Sequence, residues 1–126
     1  MTLLDDMVRK SGLLFLEGIR FDEVSKGRFF SPMEDLGNGW RQFYVVLEPS
    51  VEGPIHNHAG QRMEETHLLL YGSGKFIVYD CDVPKREIVL VLGRFHEVFS
   101  TATQTPDHKY VAGADGSITL ALEKHY

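Results

Sequence analysis

The chain has 126 residues, enough for one domain with a real core and too few for two. Its composition, 43% hydrophobic and 25% charged, is that of an ordinary globular protein, and its net charge of -5 disfavours phosphate backbones, so nucleic acid is not an expected partner. No stretch approaches the ~20 apolar residues that cross a bilayer, and Met1–Lys10 mixes acids and bases in place of the apolar centre of a secretion signal.

A cytoplasmic location is therefore expected. The single cysteine, Cys81, cannot form an internal disulfide and agrees with a reducing compartment. It lies between Asp80 and Asp82, whose charge disfavours a thiolate, so it reads as structural.

A short helix is predicted first. Thr2 and Asp5 have the spacing of a capping box, Leu3, Leu4 and Met7 share a face, and Gly12 ends the run. Beyond it, glycines and prolines recur too often for stable helices, and the stretches between them are rich in Val, Ile, Phe, Tyr and Thr. Strands are predicted over Trp40–Leu47, Glu64–Tyr71, Lys75–Asp80, Arg86–Val91, His96–Thr101, Lys109–Ala112 and Ile118–Glu123. Gly72-Ser73-Gly74 and Gly113–Gly116 read as hairpin turns between neighbouring strands. Many short strands at regular spacing indicate an all-β sandwich or closed barrel.

The chemistry concentrates after Pro49. In an extended segment His56 and His58 point to one side and aim two imidazoles at a common point. One of Glu64 and Glu65 then opens a strongly apolar strand, where a buried carboxylate needs a partner and a metal dication would be one. Gly93-Arg94-Phe95-His96 places a further histidine at the start of a β-like run.

These runs resemble the cupin superfamily. His56-x-His58, Glu65, six residues and then Gly72 are similar to its first motif, and Gly93-x-x-His96 to the core of its second. The stretch Glu34–Arg41 resembles the lead-in strand of small bacterial cupins, so the likeness covers roughly residues 33–123. The spacing from glutamate to glycine selects Glu65 over Glu64. The resemblance implies a double-stranded β-helix, the jelly-roll barrel, over residues 33–126, with residues 1–32 forming the short helix and flanking strands packed on it. It implies one divalent transition metal (Fe, Mn, Ni, Zn or Cu) on His56, His58, Glu65 and His96. Such a mixed nitrogen and oxygen set suits those ions, and open coordination positions would let the metal polarise a carbonyl or activate water.

His67, two residues after Glu65, should face the same cavity as a general acid or base, or as a residue that orients a ligand. Tyr44 is the second proton-donor candidate, and Arg41 and Tyr110 are candidate substrate contacts. His108 follows Pro106-Asp107 and reads as a loop residue, and His125 as solvated. Phe43, Val45, Leu47, Phe76, Val78 and Leu120 read as core or pocket wall. The favoured function is an enzyme acting on a small oxygen-rich metabolite, either a dioxygenase or an isomerase or lyase of a sugar or keto acid. The alternatives are a metal-dependent binding or sensor module and a barrel with a vestigial site. Small cupins often pair, so a homodimer is expected, with Leu13, Leu14, Phe15, Phe29 and Phe30 either packing across its interface or capping their own barrel.

Overall fold

The computed structural model describes residues 2–58, 60, 62–80, 83–90, 97–101 and 107–126. It opens with helix α1, Leu3–Ser11. Thr2 Oγ1 accepts from the Asp5 amide at 3.1 Å while Asp5 Oδ2 accepts from the Thr2 amide at 3.2 Å. Gly12 closes the helix in the left-handed region (φ 71°), where a side chain would be strained. Met7 and Val8 are the buried residues, while Leu3 is 45% exposed and does not share their seat.

Strands follow at Asp22–Ser25 (β1), Arg28–Phe30 (β2), Glu34–Gly37 (β3), Trp40–Leu47 (β4), Met63–Asp80 (β5), Val83–Leu90 (β6), Glu97–Thr101 (β7) and His108–His125 (β8). All pairings are antiparallel, with β1-β2-β4-β8-β5-β6 in order, β3 added to β4 and β7 added to β5. The cupin reading of a jelly-roll barrel with a short N-terminal helix is therefore met. Among the described residues no helix is long and apolar enough to cross a membrane.

The two expected glycine hairpins do not form. A hairpin would pair Glu64–Tyr71 with Lys75–Asp80. Instead both runs belong to β5, and each pairs with β8: Met63–Gly72 with Ser117–His125, and Gly74–Val78 with His108–Ala112. The register breaks at Leu69/Tyr71 and at Gly72/Gly74, so the two long strands bend together there while staying paired. Glycine is needed at this corner for close approach. A Cβ on Gly72 would stand 2.0 Å from the Gly116 carbonyl oxygen, and one on Gly113 1.9 Å from Ser73 Oγ. The punctuation was legible, but it marks a bend shared by two strands and not two chain reversals.

Alternation sorts β4 and β8 into two faces. Val46 and Ile118, both fully buried, face outward and are covered by Met7, Val8 and Leu16 of the N-terminal segment. Leu13 and Phe29 pack on this same cluster, whereas Leu14 (75%) and Phe15 (54%) stay exposed. Phe43, Val45, Leu47, Thr119 and Glu123 face inward. The main apolar cluster thus lies against the outside of the barrel wall, and the inside is left to a cavity of about 300 Å³.

Candidate metal centre

After β4 the chain turns at Ser50, whose φ is 63°, and runs antiparallel to the first half of β8. The Ala112 amide donates to Val51 O (2.9 Å) and the Gly53 amide to Tyr110 O (2.8 Å). His56 and His108 then exchange both backbone hydrogen bonds, each 2.9 Å. That exchange makes them direct opposites across one rung. Their rings stand 4.4 Å apart, and His58, two residues on and on the same side as His56, stands 5.1 and 5.2 Å from the two. One ring nitrogen from each of His56, His58 and His108 falls within 4.8 Å of the others. Pro54 O, 2.9 Å from His56 Nδ1, can only accept, so Nδ1 donates, which in the neutral ring leaves the lone pair on Nε2. His108 is 1% exposed and stacks on Phe76 at 4.9 Å.

Glu65 enters this cluster from β5. It is 6% exposed; His58 Nε2 lies 2.8 Å from its Oε2, and His67 Nε2 is hydrogen-bonded to its Oε1. Burial alone would raise its pKa, but the bonds from His58 and His67 outweigh burial and hold the carboxyl well below the ordinary carboxylate range. Glu64 faces the other side and accepts from Tyr126 Oη at 2.9 Å. The donor set fits a metal: three imidazoles converge within 4.8 Å beside a buried carboxylate that stays ionised.

Of the residues singled out in the sequence, His56, His58, Glu65, His67 and Tyr110 line one cavity. His96 lies outside the described residues, as do Gly93, Arg94 and Cys81. Tyr44 is a correction. It has the opposite parity from Phe43 and Val45, so it turns away from the cavity and packs on Phe15 at 5.7 Å within the outer cluster. Arg41 has the inward parity, but it stands at the exposed end of β4 opposite Glu123, and its Nη1 is 3.9 Å from Met33 Sδ. Tyr110 contributes its ring to the wall. Its hydroxyl lies where a Cβ on Gly74 would be 2.1 Å away, and burial pushes its pKa up, keeping the phenol protonated.

His108 is the second correction, since it opens β8 and is not a loop residue. Its signal was available: it stands two before Tyr110, and residues two apart in a strand share a face. Glu123 was also missed, an acid in the apolar run Ile118–Glu123, only 8% exposed and bonded to His125 Nε2 at 3.0 Å. Arg28, a further lining residue, carried no local signal, because only the register of β2 on β4 aims it inward.

No family model matches the chain, and a search of curated proteins finds no match. Solved structures do match. A RmlC-like cupin protein from Desulfovibrio desulfuricans is 19% identical, over 86% of this chain and 91% of its own, with a TM-score of 0.62. KdgF from Halomonas sp. is 15% identical, over 85% and 86%, with a TM-score of 0.64. A Bacillus subtilis oxalate decarboxylase variant is 14% identical, over 87% of this chain and 28% of its own, again with a TM-score of 0.64. At these identities the likeness is one of fold.

Proposed function

We propose, from the cupin fold shared with those structures, that this chain binds one divalent transition metal on His56, His58 and His108, with Glu65 as carboxylate donor, and catalyses proton transfer on a small oxygen-rich metabolite. The observation that carries this reading is the convergence of three ring nitrogens within 4.8 Å, with His56 and His58 on the wall of a cavity large enough for a metabolite and His108 buried behind them. A metal held there would supply Lewis acidity toward a carbonyl or hydroxyl oxygen.

The remaining roles belong to side chains. Glu65, kept ionised, accepts from His67 Nε2, which fixes the imidazole with its proton there and leaves Nδ1 as the basic nitrogen. His67 also lines the cavity, so it is the residue to take a proton from a carbon beside a carbonyl and return it. The Tyr110 ring and the apolar side chains Phe43 and Val45 restrict water around it. This arrangement favours an isomerase or lyase over a dioxygenase, because it provides for handling protons. Pairing with a second copy through the exposed Leu14 and Phe15 belongs to the same reading, and light scattering would measure it.

The test is elemental analysis of protein purified without a metal-affinity step, beside His56→Ala and His108→Ala. Stoichiometric metal in the parent and its loss in both variants is the expected result. Full retention by both would overturn the assignment. Solvent deuterium exchange into a hydroxy or keto acid without oxygen uptake would support proton transfer, and oxygen consumption would turn the reading to a dioxygenase.

A further inference from the structure

The cavity is charged at both ends, and with opposite sign. Glu65 and Glu123 are opposite one another across β5 and β8, and both lie in its wall. Arg28 lines it elsewhere, as the one arginine among the described lining residues, which include no lysine. Arg28 stands opposite Leu47, and Glu123 opposite Arg41, on the same strand β4. Six residues of strand separate them, ~20 Å.

Arg28 is placed as a receptor is placed. Its guanidinium carbon lies 5.2 Å from the centroid of the Phe30 ring, and its Nη1 donates to Ser25 Oγ at 3.2 Å. Its Nε is buried and makes no hydrogen bond. Among the described residues no carboxylate stands within ion-pair distance of it, although Arg9, Lys10, Arg20, Lys75 and Lys109 each have one. Burial lowers its pKa from the ordinary arginine value, and no opposing charge contributes. A half-buried cation without a counter-ion is costly to keep for structure alone. The edge left to it, Nε with Nη2, is the fork that meets a planar carboxylate with two parallel hydrogen bonds. Gly53 borders this edge, for a Cβ there would come 3.8 Å from Nε. Gly53 and His56 are three positions apart, at most ~10 Å of chain, so one small molecule can span both.

We propose that Arg28 is the anion anchor of this cavity, and that the ligand is a small monocarboxylate held by Arg28 at one end and reaching the His56–His58–His108 cluster with the other. The assignment of that far end rests on the proposed function; the assignment of Arg28 does not. A phosphate dianion fits less well, because a single guanidinium with one free edge matches one negative charge and two oxygens.

Calorimetry on the full chain tests this with straight-chain carboxylates from butyrate to octanoate and their primary amides, before and after EDTA treatment and with Mn(II) added. At least one carboxylate is expected to bind about tenfold or more tightly than its amide, since a charge-assisted pair is lost in the amide. Arg28→Gln should erase that preference and Arg28→Lys should recover only part of it, while Arg20→Gln leaves it intact. The carboxylate-against-amide comparison on the parent protein decides the matter even if a variant fails to fold. Equal binding of acid and amide, no binding by any member of the series, or a preference untouched by Arg28→Gln overturns the proposal. A preference that EDTA removes and Arg28→Gln does not would place the anion on the metal, overturning this inference and leaving the proposed function standing. A preference that depends on Arg28 in a protein that takes up no Mn(II) would do the reverse.

Discussion

Replacing His108 by leucine separates the two parts this residue plays. Leucine keeps roughly the volume and apolar contact of the imidazole, which is 1% exposed and stacked on Phe76, but removes a nitrogen donor. Metal-free His108→Leu should therefore lose only about 1–2 kcal/mol of stability. The metal-dependent part is larger. At a free metal concentration of about 100 times Kd, a bound ion stabilises the native state by ~2.7 kcal/mol. A chain of 126 residues falls between the size classes in which 1 kcal/mol moves Tm by about 2–4 °C and about 4–8 °C, so the parent should gain roughly 11 °C. Loss of a direct donor should cost at least the ~100-fold at the upper end of what outer-shell partners cost. The same metal concentration then equals Kd, the gain falls to ~0.4 kcal/mol, and the shift to ~2 °C. Scanning calorimetry with and without Mn(II), Ni(II) or Zn(II) measures both quantities. A variant that melts lower when metal-free yet keeps the full metal-dependent shift would refute the donor role of His108.

Ile118→Ala should cost about 4 kcal/mol in urea unfolding with an unchanged slope, because Ile118 is fully buried between Val46 and the N-terminal helix and the paired strands β4 and β5 limit collapse around it; a loss under ~1 kcal/mol would show that the helix does not seal this face. Glu65→Gln should cost about 1–3 kcal/mol in metal-free protein near neutral pH. Since the folded-state pKa of Glu65 is depressed below its ordinary 4.5, the stability its ionised form contributes is complete above that value and lost as pH falls below it. The gap between parent and variant should therefore narrow on acidification through pH 4.5, and a gap that widens there would contradict the bonding seen from His58 and His67. Tyr44→Phe should leave metal uptake and turnover unchanged, since Tyr44 belongs to the outer cluster with Phe15, and a large fall in turnover would return it to the site.

What the sequence made legible followed from short-range rules. The capping box at Thr2 and Asp5, the stop at Gly12 and the strand Trp40–Leu47 all depend on residues close in the chain, and all appear where local chemistry placed them. The parity of His56 and His58, and of Glu65 and His67, likewise survives into the folded cavity. What escaped depends on registers between distant strands. Nothing near Arg28 says that it will face Leu47 across β2 and β4, and nothing near Glu123 says that Glu65 will lie opposite it. The glycines at positions 72, 74, 113 and 116 were noticed, but two hairpins and one shared corner give the same local signature, and only the pairing partners tell them apart. His108 was misplaced because Pro106-Asp107 before it signals a turn, although its alternation with Tyr110 pointed inward.

The rung that joins His56 to His108 makes the length of the segment before it matter. Gly53 is already pinned to Tyr110, so only Pro54 and Ile55 lie between two fixed pairings. Adding or deleting a single residue there would slide Ile55 or Asn57 opposite His108 and turn His56 to the other face. Homologous chains that keep the histidine cluster should therefore hold this interval constant, and engineered insertions between Gly53 and His56 should abolish metal uptake in odd numbers more thoroughly than in even ones.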